Sequence, residues 1–176
     1  MKLSSLFTSA LLIAATAGFG FGQASPPAET SADIAGKKIS IKYSAPSVRG
    51  RQIFGPGGLV SKDGTYPVWR AGANTSTTFH TDADLMIGNL SVPKGDYSIY
   101  VAVDPGPWKL IINKQTGQWG TEYNAGQDLG RVTMTVSKPA APVEKYKMTL
   151  ASTGGNKGKL TLEWENVVAS VDITAK

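Results

Sequence analysis

Apolar and polar side chains alternate along most of the chain after residue 36. The alternation is clearest in three segments near the carboxyl end, residues 131–136, 145–150 and 159–165. A period of two is typical of strands that turn one face to a core and the other to water. No amphipathic helix of any length is apparent, and only residues 121–129 could hold a helical turn. The pattern predicts an all-β fold, a jelly-roll-like antiparallel β-sandwich of about eight to ten strands.

The amino end has a different pattern, which is typical of a secretory signal peptide. Lys2 precedes an uncharged segment, residues 3–22, whose centre is strongly apolar. Small residues at Gly22 and Ala24 occupy the two positions that a signal peptidase reads, which predicts cleavage after Ala24. The alternative is an uncleaved membrane anchor, because the apolar segment nearly reaches the length of a membrane span.

These patterns divide the chain into three parts. Residues 1–24 are the predicted signal peptide, residues 25–36 a disordered spacer containing Pro, Ala, Ser and Glu, and residues 37–176 a single β-sandwich domain. The leader predicts an exported protein, in the periplasm or outside the cell, with no stable membrane span after processing.

Composition and charge exclude several classes of site. The 176 residues include no cysteine and one histidine, and the formal net charge is +5. Without cysteine there can be no disulfide, thiolate metal ligand or cysteine nucleophile. One histidine argues against a zinc site, so we expect neither a metal nor another cofactor. The lysines are scattered rather than clustered, which argues against nucleic acid as a partner.

The segment 68–74 has the densest candidate chemistry, because Trp69, Arg70 and Asn74 crowd around a glycine turn. A guanidinium is a fork of donors suited to a carboxylate or phosphate, and an amide both donates and accepts. These residues could form a ligand site on a strand-rich frame, with Trp69 as a platform. They could equally be a structural junction between two sheets.

Three further residues are candidates for ligand contact. Trp119 lies beside a glycine and is a second possible platform for a flat ligand face. Arg49 and Arg51 follow a proline turn and could hold an anion or a partner's carboxylate. The alternatives are packing for Trp119 and a solvated loop for the two arginines.

Paired carboxylates offer the alternative of catalysis. Glu163 with Glu165, or Asp82 with Asp84, could perform acid/base chemistry on a sugar if their surroundings separate their pKa values. A solvated strand face and a polar hairpin turn explain the same two patterns without catalysis. His80 is out of phase with its apolar neighbours, so we expect it to face solvent.

Six segments together resemble one known family. They are residues 47–55 (SVRGRQIFG), 68–74 (VWRAGAN), 93–98 (PKGDYS), 108–113 (WKLIIN), 118–120 (QWG) and 160–166 (LTLEWEN). They are similar in content and order to the bacterial domain-of-unknown-function family 2911, whose members are typically exported by bacteria with two membranes. The resemblance spans residue 38 to the end and implies a β-rich single domain, but it brings no established activity. Members often carry a carboxylate where this chain has Thr75.

Three functions remain open on the sequence. The leading hypothesis is a non-catalytic module that binds a small polar ligand, a glycan or a protein partner. The partner could thus be a glycan, a small anionic ligand or an envelope protein. The alternatives are a carbohydrate-active hydrolase or lyase that uses paired carboxylates, and a structural envelope protein with no ligand.

Overall fold

The computed structural model describes residues 24–103 and 106–176. The predicted signal peptide lies outside the described residues except for Ala24, which is exposed. Within the described part of the chain, no helix is long and apolar enough to cross a membrane.

The described residues form thirteen strands in two antiparallel sheets. The strands are β1 (Pro27–Ile34), β2 (Lys37–Ser44), β3 (Val68–Trp69), β4 (Thr77–Thr81), β5 (Leu85–Ile87), β6 (Leu90–Val92), β7 (Gly95–Ala102), β8 (Lys109–Asn113), β9 (Asp128–Thr133), β10 (Thr135–Ser137), β11 (Val143–Gly154), β12 (Lys157–Glu165) and β13 (Val167–Ala175). The first sheet has the order β1-β2-β4-β7-β8-β9, with β3 also paired to β7. The second has the order β11-β12-β13-β5-β6, with β10 also paired to β13. The predicted antiparallel β-sandwich is confirmed.

The core lies between the sheets and is built from the alternating apolar residues of both. Ile39 and Ile41 of β2 are fully buried, as is Ile99 of β7, and Leu160 and Leu162 of β12 face them from the second sheet. Full burial of one such side chain contributes about 1.5–3 kcal/mol. Period two in the sequence therefore identified the inward face correctly.

Aromatic side chains concentrate in one part of this core, which we call the aromatic cluster: Phe54, Trp69, Trp108, Tyr146 and Trp164. The rings of Trp69 and Trp164 are stacked with centroids 5.7 Å apart. Phe54 contacts the rings of Trp69, Trp108 and Trp164 at 5.5, 4.9 and 5.9 Å. Such ring pairs stabilise a core beyond the area that they bury.

The structure corrects the prediction that residues 25–36 form a disordered spacer. Residues 27–34 are β1, which pairs along its whole length with β2. Small side chains alternate in this segment, and they end at Ile34, which is fully buried. The backbone N–H of Leu150 in β11 also donates to the Thr30 hydroxyl at 3.0 Å, which links the two sheet edges. The prediction missed β1 because small residues give a weak apolar signal.

A second correction concerns residues 131–136, predicted as one strand. The segment contains the end of β9 and the start of β10, which belong to different sheets. The chain crosses between the sheets at Met134, whose N–H donates to the carbonyl of Trp108 at 2.9 Å. The predicted inward face also ends at the crossing, because all three residues of β10, including Val136, are exposed. The helical turn expected within residues 121–129 is a short 3-10 turn at Ala125–Gln127.

Candidate ligand site beside Arg70

Strands β3 and β4 pair with the same neighbour, β7, and residues 70–76 make an excursion between them. Ala71 and Asn74 adopt positive φ angles of 49° and 63° within this excursion. Two hydrogen bonds fix it: the Thr77 hydroxyl donates to the Ala71 carbonyl, and Gly120 N–H donates to the Asn74 carbonyl, each at 2.9 Å. The strained turn therefore places the Arg70 and Asn74 side chains beside each other on a fixed frame.

Arg70 forms an ion pair with Asp63, a residue of the long segment that connects β2 to β3. The Nη2–Oδ2 distance is 2.8 Å, and Nε lies 3.3 Å from the same oxygen. The side chains are 17% and 11% exposed, so the pair is largely removed from water. The Arg70 guanidinium is thus already paired with a carboxylate of the protein, although we expected it to bind a carboxylate or phosphate of a ligand.

A cleft of about 380 Å³ opens beside this ion pair. The residues that line it include Lys62, Asp63, Trp69, Arg70, Asn74 and Trp164. Trp69 and Trp164 are only 3% and 2% exposed, so they form a buried aromatic wall rather than a protruding platform. We call this feature the Arg70 cleft.

Two polar atoms of the Arg70 cleft are buried without a hydrogen-bond partner. They are Asp63 Oδ1, an acceptor, and Trp164 Nε1, a donor. Two other atoms of the described residues share this property, Gln118 Oε1 and the Tyr146 hydroxyl, but neither residue lines the cleft. Leaving such a group unsatisfied costs about 1–3 kcal/mol. Burial raises the pKa of Tyr146 well above its ordinary value, so its hydroxyl stays neutral.

The structure brings together three of the six predicted site residues. Trp69, Arg70 and Asn74 line the cleft, and the Asn74 amide also donates to the Ser44 hydroxyl at 3.4 Å. Trp119 lies outside the cleft lining and is 49% exposed. It remains close, because Thr75 forms a backbone bridge with it.

Arg49 and Arg51 lie outside the cleft and make contacts within the protein. Arg51 donates to the carbonyls of Val48 and Ser47 at 3.0 and 2.6 Å. The backbone N–H of Arg49 donates to Glu144 at 2.9 Å. The Arg49 backbone bond attaches the loop after β2 to β11, whereas the Arg51 side-chain bonds lie within that loop.

The paired carboxylates each have a partner in the protein. Glu163 pairs with Lys147 at 3.5 Å, and Glu165 accepts the backbone N–H of Ile53 at 3.0 Å. Asp84 accepts the backbone N–H of Lys94 at 2.8 Å. These contacts favour the structural explanation of both pairs over acid/base chemistry.

His80 faces solvent as expected, but it has two partners that sequence reasoning did not foresee. Its Nδ1 lies 2.7 Å from Asp96, and its Nε2 lies 3.0 Å from Asp82. Hydrogen bonding to Asp96, and then to Asp82, raises the pKa of His80 above 6.5. Asp82 could have been found from the sequence, because it follows His80 by two residues. Asp96 could not, because it lies opposite His80 only through the register of β4 and β7. Within the described residues, no cluster of His, Asp and Glu has a metal-binding arrangement.

Sequence reasoning also missed Asp63, which completes the Arg70 ion pair. The residue lies in a glycine-rich connection without periodicity, so no local pattern marks its contact. Trp164 was correctly expected in the core from its phase with Leu160 and Leu162, but its cleft-lining position depends on tertiary structure.

Comparison with known proteins identifies the family of this chain but no individual relative. The family model described as "Protein of unknown function (DUF2911)" matches residues 25–173, which includes β1 and nearly all of the described chain. Neither the curated proteins nor the solved structures gave a match. The chain therefore belongs to the DUF2911 family of proteins of unknown function.

Proposed function

We propose that this protein is an exported, non-catalytic module that binds a small, uncharged, hydroxyl-bearing ligand, such as a sugar unit, in the Arg70 cleft. The observation that carries the proposal is the coincidence of an unpaired acceptor, Asp63 Oδ1, and an unpaired donor, Trp164 Nε1, in residues that line one cleft. Both atoms have almost no accessible surface in this structure, so binding requires a small side-chain movement, after which a ligand hydroxyl donates to the first atom and accepts from the second. Export rests on the signal-peptide pattern at the amino end.

Lys62 adds a positive charge to the lining, but the Arg70–Asp63 pair itself favours an uncharged ligand over an anion beside Asp63. Asp63 already balances Arg70 at 2.8 Å. An incoming carboxylate or phosphate would have to displace Asp63 or approach its second oxygen, where like charges repel. A hydroxyl avoids both costs.

The size and walls of the cleft also fit such a ligand. A volume of about 380 Å³ lies near the lower end of the range for small-molecule sites. The buried faces of Trp69 and Trp164 provide an apolar wall, while polar groups around it can fix orientation. This combination suits a molecule with C–H faces and hydroxyl edges.

The test is isothermal titration of the purified protein with neutral monosaccharides, using Trp164→Phe and Trp108→Phe as matched variants. Each substitution keeps an aromatic ring in the same cluster, but only Trp164→Phe removes a donor from the cleft lining. We expect Trp164→Phe to weaken binding about tenfold, as the loss of one hydrogen bond predicts, and Trp108→Phe to leave the affinity unchanged. Absence of binding by the unmodified protein, or an equal loss in both variants, would refute the proposal.

A further inference from the structure

A second concave surface lies on the outer face of the first sheet, over β1, β2 and β4. Two cavities of about 750 and 480 Å³ share Glu29, Lys42 and Thr78, so they form one continuous depression. We call it the outer-face groove. Its floor consists of outward side chains of β2 and β4, among them Ser40, Lys42 and Thr78.

The segment 114–127 provides a fixed wall of this groove. It crosses the outer face of the sheet, and its Gln118 is buried, donating to the Tyr100 hydroxyl at 2.9 Å and to Ser98 Oγ at 3.3 Å. Ser76 N–H donates to the Gln118 carbonyl at 3.0 Å. Thr116 and Gly117, just before this anchor, line the groove. The depression is therefore part of the folded frame.

Hydroxyl groups and charges of both signs line the outer-face groove. Neither cavity is lined by a Leu, Ile, Val, Met, Phe or Trp side chain. Lysines project from β2, and the carboxylates of Glu29, Asp82 and Asp96 lie along the same depression, with His80 between the two aspartates. A polyanion would meet the carboxylates and a polycation the lysines, whereas an uncharged polyol can hydrogen-bond to every group.

A polypeptide fits this surface poorly. β2 is paired on both sides, with β1 and β4, and β4 is paired on both sides, with β2 and β7. The backbone groups of these two strands are therefore committed, so a peptide cannot add as a strand along the groove floor, although β1 is an edge strand. The apolar lining of the groove is limited to Pro27, Ala28, Tyr43 and Tyr97.

We infer that the outer-face groove binds a linear, uncharged glycan chain. The inference does not rest on the proposed function, because the two sites are lined by different residues. They adjoin where Asn74 of the Arg70 cleft donates to Ser44 of the groove at 3.4 Å. Variants on either side of this contact can therefore separate them.

The experiment is titration of the full chain with the soluble hexasaccharides of cellulose, xylan and chitin, each beside its monosaccharide. Thr78→Trp places a bulky side chain in the groove floor. Thr161→Trp is the matched control, since Thr161 is a half-buried threonine of a central strand in the other sheet. Lys42→Ala tests the same site by removing a polar contact, without added bulk.

We expect at least one hexasaccharide to bind more tightly than its monosaccharide. Thr78→Trp should then weaken binding by about tenfold or more, Lys42→Ala by a few-fold, and Thr161→Trp not at all. If no hexasaccharide binds, or if both groove variants bind like the control, the inference is wrong. Monosaccharide binding that responds to Trp164→Phe but not to Thr78→Trp would support the Arg70 cleft alone, whereas hexasaccharide binding with that same response would reject a glycan role for the groove.

Discussion

Two arginine–aspartate pairs in this protein have nearly the same geometry and different surroundings. Arg70 contacts Asp63 at 2.8 Å, and Arg131 contacts Asp128 at 2.9 Å. Both oxygens of Asp128 are satisfied: Asn113 donates to Oδ1 at 2.9 Å, and Tyr123 donates to Oδ2 at 2.6 Å beside the arginine. Asp63 uses one oxygen and leaves the other buried without a partner.

The comparison separates a structural pair from a candidate binding pair. Asp128 fastens the segment 114–127 to the first sheet, and the network around it is complete. The Asp63 pair lies beside a cleft and is incomplete, which is a cost that a ligand could remove. Residue type alone therefore says little, and the unsatisfied atom is the distinguishing feature.

The largest expected effect is that of Asp128→Ala on stability. The substitution removes the acceptor for Asn113, Tyr123 and Arg131 and leaves the buried Asn113 amide with fewer partners. We expect the free energy of unfolding to fall by about 3 kcal/mol, measured by urea denaturation. A loss below that of Asp63→Ala would mean that the complete network is not the stabilising one.

Asp63→Ala should cost less, roughly 1.5 kcal/mol in the same assay. It breaks the ion pair, but it also removes a buried oxygen that had no partner, and Arg70 keeps its contact with the Asn74 carbonyl. Binding of a neutral monosaccharide should be lost together with the acceptor. Retained affinity in a folded Asp63→Ala protein would contradict the assignment of Oδ1 to the ligand.

Gly120→Ala should disturb the Arg70 pair without touching Asp63. A Cβ at this position would collide with the Arg70 side chain and lie 2.7 Å from the Asn74 carbonyl oxygen. We expect a stability loss of about 1 kcal/mol and weaker ligand binding. Gly64→Ala is the control, because Gly64 lines the same cleft and a Cβ there meets no atom within 4 Å. Equal behaviour of the two variants would show that Arg70 placement is unimportant.

The smallest effect is expected at His80, whose aspartate partners are exposed. Because its folded pKa is raised above the unfolded 6.5, its stabilising contribution is complete below pH 6.5 and is lost as pH rises through the folded value. That contribution should stay below about 1 kcal/mol, as for exposed ion pairs. In an NMR titration of this single histidine, Asp96→Asn should lower the pKa more than Asp82→Asn. The opposite order would show that Asp82 is the dominant partner.

Strand positions could be predicted from the sequence wherever apolar side chains were large. The spacing of Ile39 and Ile41, and that of Leu160 and Leu162, was enough to predict which face of each strand points to the core. β1 carries small residues at the same period and was mistaken for a spacer. The crossing from one sheet to the other at Met134 could not be predicted from the sequence. The strands with which a strand pairs decide which sheet it joins, and periodicity does not reveal them.

Three of the six predicted site residues line the Arg70 cleft, for a related reason. Trp69, Arg70 and Asn74 are close in sequence and were recognised together as a local segment. Asp63 lies in a loop and Trp164 in a distant strand, and both line the cleft. No local sequence pattern predicts the path of that loop or the packing of that strand. Trp119, Arg49 and Arg51 had suitable chemistry, but the fold placed them elsewhere.

The most direct test of the Arg70 cleft follows the indole N–H signals of the four tryptophans by ¹H–¹⁵N NMR, with the Trp164 signal assigned from Trp164→Phe. On addition of a neutral monosaccharide, we predict a saturable shift of the Trp164 indole signal, because the ligand supplies the acceptor that this buried donor lacks. The Trp108 signal should stay in place. A stationary Trp164 signal at saturating sugar would contradict the assignment of this cleft as the binding site.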